Sequence, residues 1–503
     1  MLAANGQLAG AQGEDETLAR VQTRTIAERL AEFCLTLPSG SLPPDVVKQA
    51  TLSTLDYFGV VLAAGANPAA QIVAEYVRSL GGPPQATVVG TPAKVPFHLA
   101  ALANGARGHS IELDDHEAHS RSKVHPGAVV MPTALALSEA GPVSGADFLA
   151  AVVIGYDVIG RLSAATSYPD FLVKTKGYHT TPLFGVFAAA ATAARLMGLT
   201  ADQLSNAFGI AGSFASGLQE TVNAGAMMKG FHAGWAAHGG IMAAQLASRG
   251  FTGPRTIFEG KKGFYHAFVG DPDTNLEVID RDFGAEFDIS LIMYKAYACG
   301  GRVHPTLTAI DEIRKTGDID AAGVEKIVVR TGPAVVESFA VPREIKVRPT
   351  SGPQAQFSLP YAVATLIIDG AALMDQFTDE AVHREDVLAL AARVIVEADP
   401  SIVSDDPEDE PASVSIHFSD GSVRGADVRG GLGSLTVPMS DEQLIGKYRR
   451  LATPVIGAEA VAAHERRVLL LASDPDVSDL MTTLGAAAGQ ALAVTAGASP
   501  ART

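Results

Sequence analysis

The sequence predicts a mainly α-helical protein, with a large all-helical domain and a smaller α/β domain. Ala-rich stretches in which apolar residues recur at helical spacing run from about Val130 to Arg249, interrupted by Gly and Pro turns. Segments with β-like composition follow after about Gly270. Of the 503 residues, 47% are apolar and 18% are charged, which is typical of a chain with large buried cores and not of a disordered one.

The helical domain is predicted to begin at Thr17, after a small, polar and acidic tail. Its first helix ends before Pro38. A second helix begins in the segment Pro43-Pro44-Asp45, because proline suits the first turn of a helix.

The α/β domain is predicted from two segments that fit strands. These are Glu325–Thr331 (EKIVVRT) and Ala412–Phe418 (ASVSIHF), and the second alternates apolar and polar residues. Asp420-Gly421 then supplies a hairpin turn into a further strand that begins near Val423.

Between the two predicted strands, Pro360–Ile368 and Val387–Ala398 have helical patterns. Helix returns at Ser440, which forms a Ser-x-x-Gln capping box with Gln443. The predicted boundaries are 17–274 for the first part of the helical domain, 275–435 for the α/β domain, 436–495 for the helical C-terminal return, and flexible tails at 1–16 and 496–503.

The charge and the cysteine count exclude several classes of protein. The formal net charge is −17, whereas a general nucleic-acid binder or a protein of anionic membrane surfaces needs a basic face. Two cysteines cannot form a disulfide framework or a four-thiolate zinc site. The N-terminus lacks a secretory signal pattern, and the uncharged stretches Gly177–Ala194 and Gly230–Ser248 fit buried helices better than membrane spans. We therefore expect a soluble, cytoplasmic protein.

Histidines are concentrated in one part of the chain. Ten of the 13 fall between His98 and His304, beside Gly, Asp and Lys residues. Because histidine titrates near neutral pH, this pattern is typical of proton-transfer chemistry. The densest stretch begins at His109 and is followed by His125.

This stretch has three interpretations. In the first, Asp114 or Asp115 orients His125 in an acid/base site. In the second, the stretch is only a polar loop or helix cap. In the third, Asp114, Asp115, His116 and His119 bind a metal, since His116-Glu-Ala-His119 is one residue short of the zinc motif HExxH.

Three further stretches combine glycine with histidines or cations. His179 lies in GYHTTP before an apolar helix, where a threonine helix cap is the alternative. Lys229 opens a helix of small residues, where burial without an anion is costly unless the side chain extends to solvent. The stretch KAYACGGRVHP places Lys295, Arg302 and His304 around a flexible Gly pair, which fits a clamp for carboxylates. Cys299 in the same stretch is a weaker candidate nucleophile.

Several common motifs are missing from the sequence. It has no Walker A motif, no dinucleotide fingerprint after a strand and no Gly-x-Ser-x-Gly motif. Gly431-Leu-Gly433 lacks the strand-turn-helix setting of a phosphate loop.

These stretches, in this order, resemble the MmgE/PrpD family, which includes 2-methylcitrate dehydratase, cis-aconitate decarboxylase and iminodisuccinate epimerase. The resemblance extends from about Pro43 to Ala452. Its most specific segments are NGARGHSIELDD, HPGAVVMPTALALSE, GYHTTPLFG, MMKGFHAGWAAHGG and FTGPRTIFEGKKGF, and KAYACGGRVHP, AQFSLPYAVA and PMSDEQLIGK fit as well.

The resemblance implies a large helical domain with a smaller α/β lid domain, paired as a homodimer, with the active site between the domains. It implies no metal and no organic cofactor, and a small anionic polycarboxylate as substrate. The catalytic residues that it implies are Asp114, Asp115, His125, His179, Lys229 and Tyr361. The substrate-binding residues that we expect are Glu112, His116, Lys295, Arg302 and His304.

In this interpretation His125 or His179 is the base or the acid, Lys229 and Lys295 hold carboxylates, and Tyr361 donates a hydrogen bond. Removing a C–H proton beside a carboxylate builds negative charge there, which the cations would stabilise.

The chain departs from the decarboxylase branch of the family at several positions. That branch has a histidine five residues after the lid lysine, where this chain has Gly300, and a threonine where this chain has His116. The first acidic residue of the motif is Glu112 instead of Asp, and the loop from Asp115 to His125 is about three residues longer. These changes favour a different polycarboxylate and make decarboxylation a weaker prediction.

The sequence therefore predicts a cofactor-independent hydro-lyase that acts on a small hydroxy-polycarboxylate such as 2-methylcitrate. The alternatives are an epimerase or isomerase of a similar acid, in which His116 or His304 is the second proton donor, and a decarboxylase. Outside this class, a metal-dependent hydrolase and a non-catalytic polycarboxylate-binding protein remain as alternatives.

Overall fold

A computed structural model describes residues 24–91, 93–117, 124–166, 176–270, 274–402, 410–481 and 484. The predicted flexible tails, and the start of the helix predicted from Thr17, lie outside these residues. The described helix begins at Ile26, where Thr25 and Glu28 form a capping box.

Within the residues that the structure describes, the N-terminal part of the chain is helical, with four two-residue strands. Its helices are α1 (Ile26–Thr36), α2 (Pro44–Ala63), α3 (Pro68–Leu80), α4 (Phe97–Gly108), α5 (Gly127–Ser138), α6 (Gly145–Ala164), α7 (Thr180–Leu196), α8 (Ala201–Ala211), α9 (Glu220–Asn223), α10 (Met228–Ser248) and α11 (Phe264–Phe268). The short strands pair as β1 (Ala86–Thr87) with β2 (Lys94–Val95), and as β3 (His116–Glu117) with β4 (Ile292–Met293).

Small residues set the spacing of the helices that carry the site. A Cβ added to Gly105 on α4 would lie 2.8 Å from the Cα of Gly234 on α10, and one added to Gly234 would lie 2.1 Å from the Leu102 carbonyl oxygen. On the other side of α10, a Cβ on Gly240 would lie 2.3 Å from the Cβ of Ala189 on α7. The abundance of Gly and Ala therefore reflects helices that pack with their backbones close together.

The α/β part follows. Its helices are α12 (His304–Lys315), α13 (Pro333–Phe339), α14 (Arg343–Val347), α15 (Gly352–Gln356), α16 (Leu359–Asp369) and α17 (Glu385–Ala391), and its strands are β5 (Val324–Thr331), β6 (Val394–Ala398), β7 (Ala412–Phe418) and β8 (Val423–Val428). The sheet order is β6-β5-β7-β8, with β5 and β6 parallel and the other neighbours antiparallel.

One prediction for this part is wrong in its second half. The sequence pattern predicts helix over Val387–Ala398, but the helix ends at Ala391 and residues 394–398 form β6. Val394, Ile395 and Val396 are β-branched, and they pair in register with Ile327, Val328 and Val329 of β5. The ladder hydrogen bonds and the burial of Val394 outweigh the local helical spacing.

The chain then returns to the helical part as α18 (Asp441–Ile456) and α19 (Ala458–Leu469). The predicted capping box of Ser440 and Gln443 begins α18. The larger apolar core joins residues 26–294 with residues 444–484, and the second core belongs mainly to the α/β part. The predicted mainly α-helical fold with a smaller α/β domain is confirmed.

No single helix among the described residues is long and apolar enough to cross a membrane. The bent pair at 44–66 and 68–80 passes the same length and composition criteria only when both helices are counted together.

A buried ion pair connects α18 with α2 in the helical part. Lys447 Nζ lies 2.7 Å from Asp56 Oδ1 on α2, and it donates a 2.8 Å hydrogen bond to the carbonyl of Leu113. Both side chains are at most 3% exposed. The ion pair thus also holds the main chain next to Asp114.

We expect Lys447→Met to lower the free energy of unfolding by about 3–5 kcal/mol, because it leaves the Asp56 carboxylate buried without its counter-charge. Chemical denaturation would measure the loss. The double variant Lys447→Met/Asp56→Leu should regain most of it, and a single variant as stable as the native protein would contradict the expectation.

Candidate active site

A cavity of about 640 Å³ lies between the helical and the α/β parts. The helical part contributes Glu112, His116, His125, His179, Thr180, Gln219, Val222 and Lys229 to its walls. The remaining walls come from Lys295, the Gly300-Gly301-Arg302 segment, residues 337–339, 341–342 and 345–346, Gln354 and Phe357. The cavity is therefore cationic and rich in imidazole.

Glu112 joins the two lysines that were predicted as carboxylate anchors. Its carboxylate lies 2.8 Å from Lys295 Nζ through one oxygen and contacts Lys229 Nζ through the other. Burial opposes ionisation of Glu112, but the two lysines outweigh it and hold the pKa of the carboxyl well below its usual range. Glu112 also has a backbone φ of 55°, which is uncommon for a residue with a side chain.

Asp114 holds two histidines at once. Its Oδ2 lies 2.6 Å from His109 Nδ1 and 3.0 Å from His125 Nδ1. Burial alone would raise the pKa of Asp114, but the neighbouring imidazoles hold it well below its usual value. The carboxylate is therefore ionised and accepts from both rings.

The tautomer of His125 follows from its partners. Nδ1 lies 2.9 Å from the main-chain carbonyl of Asp115 as well as close to Asp114. A carbonyl oxygen can only accept, so Nδ1 carries the proton and Nε2 of the neutral ring keeps a free lone pair. This is the arrangement that a general base needs.

Asp115 has a different role from Asp114. Its carboxyl accepts hydrogen bonds from Tyr156 Oη (2.5 Å) and from the Gly127 main-chain N–H (2.9 Å), at the start of α5. Burial raises the pKa of Asp115 to about 7, against the hydrogen bond from Tyr156. The side chain thus fixes the segment that carries His125, while its main-chain carbonyl contacts the ring.

His179 precedes α7 and belongs to a second pair of imidazoles. Its Nδ1 lies 3.0 Å from His232 Nδ1 on α10, so one ring donates and the other accepts. Burial lowers the pKa of His179 well below its usual value and that of His232 to about 4. The ring of His179 also stacks on His109, with centroids 5.6 Å apart.

The structure brings most of the predicted site residues together. Glu112, His116, His125, His179, Lys229, Lys295 and Arg302 line the cavity, and Asp114 and Asp115 lie directly behind His125. Two further predicted residues, Tyr361 and His304, do not line the cavity and do not contact His125 in this way. Tyr361 is buried in the α/β part, where its single hydroxyl proton is shared between the carbonyl oxygens of Gln376 (2.9 Å) and Ala381 (3.1 Å). His304 is buried against the ring of Tyr297.

Cys299, the weaker candidate nucleophile, is fully buried. Burial raises the pKa of its thiol far above the usual value, which disfavours the reactive thiolate.

His109 and His232 are two site residues that were not predicted from the sequence. His109 lies in the segment NGARGHSIELDD, five residues before Asp114. This short spacing across a turn was the sequence signal that could have indicated a contact between the two side chains. His232 lies three residues after Lys229 on the same helix, and helical spacing of that kind places two side chains on one face.

The predicted metal interpretation can be compared with the donor geometry. His109, Asp114 and His125 each offer a ligand atom within 4.8 Å of the others, whereas His119 lies outside the described residues. In this arrangement the Nδ1 atoms of both histidines lie within hydrogen-bond distance of Asp114 Oδ2, and binding a metal through these nitrogens would require their protons to leave. The set as arranged fits a hydrogen-bonded acid/base cluster.

His109 should make the stability depend on pH. Burial lowers its pKa to about 4, against the attraction of Asp114, while the unfolded chain titrates near 6.5. Between pH 4 and pH 6.5 the unfolded chain binds more protons at His109 than the folded protein does. The contribution of His109 to the free energy of unfolding is therefore fully present above pH 6.5 and is lost as the pH falls through 4. The variant His109→Asn keeps a donor for Asp114 but has no imidazole to titrate. We expect its free energy of unfolding, relative to that of the native protein, to rise by up to about 3 kcal/mol when the pH is lowered from 7 to 4. Denaturant titrations of both proteins at several pH values would measure this change. A stability difference between the two proteins that does not vary with pH would contradict the expectation.

The two-part fold and a cavity lined by histidines and lysines define the class of protein, and the chain belongs to the MmgE/PrpD family. The model of the MmgE/PrpD N-terminal domain matches residues 28–277, and that of the C-terminal domain matches residues 297–472.

Among its curated relatives, the cis-aconitate decarboxylase of Aspergillus terreus is 28% identical over 91% of this chain and 96% of its own length. The cis-aconitate decarboxylase-like protein oryM of Aspergillus oryzae is 27% identical over 91% and 97%. The cis-aconitate decarboxylase of Mus musculus is 26% identical over 87% and 89%.

Proposed function

We propose that the protein is a cofactor-independent hydro-lyase that acts on a small hydroxy-polycarboxylate, of which 2-methylcitrate is an example. The observation that carries the proposal is the juxtaposition of a base, fixed by Asp114, with two lysines in one cavity. The family supports an enzyme that acts on such acids, and the choice of reaction is our proposal.

In the proposed reaction a substrate carboxylate binds Lys229 and Lys295. His125 Nε2 removes the proton from the carbon beside that carboxylate, and the lysines stabilise the negative charge that develops there. The electron pair of the broken C–H bond forms the new C=C bond as the C–O bond breaks. A second group protonates the departing hydroxide, which leaves as water. His116 and His179 both line the cavity and are the candidates for this acid.

The position of Gly300 favours dehydration over decarboxylation. A Cβ added there would lie 2.4 Å from Cε1 of Phe339, so the ring occupies the space into which the decarboxylase branch extends a histidine. His304 does not replace that histidine, because it is not among the residues that line the cavity. His116 adds an imidazole where that branch has threonine.

Decarboxylation of a cis-aconitate-like acid is the second candidate, since the curated relatives carry that name. Proton NMR of the purified protein in D₂O would separate the candidates. The panel would contain citrate, 2-methylcitrate, cis-aconitate, tartrates and iminodisuccinate, with Lys229→Ala as the control.

Loss of water from a hydroxy acid would support the proposal. Release of CO₂ would favour the second candidate, and exchange of a single deuteron with inversion would favour an epimerase. Binding without any reaction would favour a non-catalytic binder, and no binding by any of these acids would overturn the substrate class.

We also propose that the chain forms a homodimer. Ile72, Tyr76 and Leu80 follow one another at four-residue steps along α3 and are each more than half exposed, which is an unusual face for a helix in contact with water. Light scattering after size exclusion would measure the mass. A monomeric mass for the native protein, at concentrations where it is active, would overturn this proposal.

A further inference from the structure

A second cavity adjoins the proposed active site. It has a volume of about 400 Å³, which is within the usual range for small-molecule sites. Four residues line both spaces: Glu112, Val222, Lys229 and Phe357. Lys229 Nζ lies 5.8 Å from the centre of the Phe357 ring, so the cation and the ring are neighbours at the boundary of the two spaces. We call this second cavity the side chamber.

The side chamber differs from the main cavity in charge. Apart from histidines, the described residues that line the main cavity include four cationic side chains and two carboxylates, namely Lys229, Lys295, Arg302 and Lys346 with Glu112 and Glu337. Among the described residues, the side chamber is lined by the single cation Lys229 and by three carboxylates, Glu112, Asp375 and Asp379. A second substrate carboxylate would thus be repelled from the side chamber.

The remaining walls of the side chamber are largely apolar. Ile111, Met227, Met374 and Phe377 line it, and short Ala side chains at the end of α2 and the start of α3 leave it open. Asp375 and Asp379 are exposed, so the carboxylates lie where the chamber meets solvent. An uncharged chain placed inside would bury apolar area against these side chains.

We infer that the side chamber binds an alkyl substituent on the substrate, while the carboxylates of the same molecule bind in the main cavity. Lys229 belongs to both spaces, so a carboxylate held there lies at the boundary and its neighbouring carbon can extend past Phe357. This inference rests on the proposed function and narrows its substrate class to polycarboxylates that carry an alkyl chain longer than methyl.

The test is the affinity of a homologous series of 2-alkylcitrates, from methyl to hexyl, measured by calorimetry with the full chain. Each added methylene should tighten binding about three- to fourfold until the chamber is full. The variant Ala66→Trp fills the chamber from an exposed position and should abolish this dependence on chain length. Ala462→Trp, at an exposed alanine of α19 that lines neither space, is the matched control and should keep it.

The outcomes separate the two levels of the proposal. If citrate and 2-methylcitrate bind and react but affinity is flat or falls with chain length, the side-chamber inference is overturned and the proposed function stands. If the dependence survives in Ala66→Trp, the chain binds elsewhere and the inference is also overturned. If no member of the series binds but another acid of the panel above does, the inference is overturned; if none of these acids binds the native protein, the proposed function itself fails.

Discussion

Replacing Asp114 by asparagine is expected to lower kcat/KM by a factor of about 10²–10⁴, the range associated with a positioned acid/base group. One carboxylate oxygen accepts Nδ1 protons from both His109 and His125, at 2.6 and 3.0 Å. A neutral amide oxygen is a weaker acceptor than an ionised carboxylate, so both hydrogen bonds would lose their charge-assisted strength. The tautomer that leaves Nε2 of His125 bare would no longer be favoured.

Asp115→Asn is the matched control for this prediction. The side chain of Asp115 is directed to Tyr156 and Gly127, and only its main-chain carbonyl, which the substitution keeps, contacts His125. We expect its kcat/KM to stay within about tenfold of the native value. Steady-state kinetics over a range of pH on whichever acid proves to be the substrate would measure both variants. Equal losses in the two variants would contradict the distinct roles of the neighbouring aspartates.

Substitution of Lys295 should lower both the stability of the protein and its activity, and the two effects can be measured separately. Lys295 is 2% exposed and pairs with the buried carboxylate of Glu112. Burial by itself would lower the pKa of Lys295, but Glu112 outweighs it and raises that pKa, so the lysine is charged. We expect Lys295→Met to destabilise the protein by about 3 kcal/mol, because Glu112 keeps only Lys229 as a partner. It should also lower kcat/KM by about 10²–10³, the usual cost of one lost stabilising donor.

The double variant Lys295→Met/Glu112→Gln distinguishes the two effects. It removes both members of the ion pair, so denaturation should show that most of the stability returns. Activity should not return, because the substrate carboxylate still lacks its anchor. Recovery of both quantities together would show that Lys295 matters only for folding.

Much of the fold could be predicted from the sequence because local signals agree with the tertiary structure. Pro44, the capping box at Ser440 and the alternation in 412–418 each mark an element that the structure contains. The strand β6 could not be predicted in this way. Its five residues are separated from the end of a helix by two residues, and only their pairing with β5, more than sixty residues earlier in the chain, makes them extended.

The same distinction applies to the site. Glu112, His125, Lys229 and Lys295 lie in segments whose composition already indicated chemistry, and the structure brings them into one cavity. Which polar side chain faces that cavity is a matter of packing. The sequence around Tyr361 did not indicate that its hydroxyl would hydrogen-bond to main-chain carbonyl oxygens of the α/β part instead of facing the cavity. His232 needed the fold to show that its helix runs beside His179.

The contact between Gly105 and Gly234 also has a consequence for how such a protein can change its substrate over evolutionary time. Two helix backbones lie in direct contact here: α4 leads into the segment of Glu112, and α10 carries Lys229. A side chain of any size at either glycine would push the two helices apart, and the distance between the acid cluster and its cations would widen. Substitutions on the cavity wall formed by the α/β part, for example at Phe339, Lys346 and Phe357, leave this glycine contact in place. A library restricted to that wall should yield altered substrate preference far more often than one that includes the glycine pair.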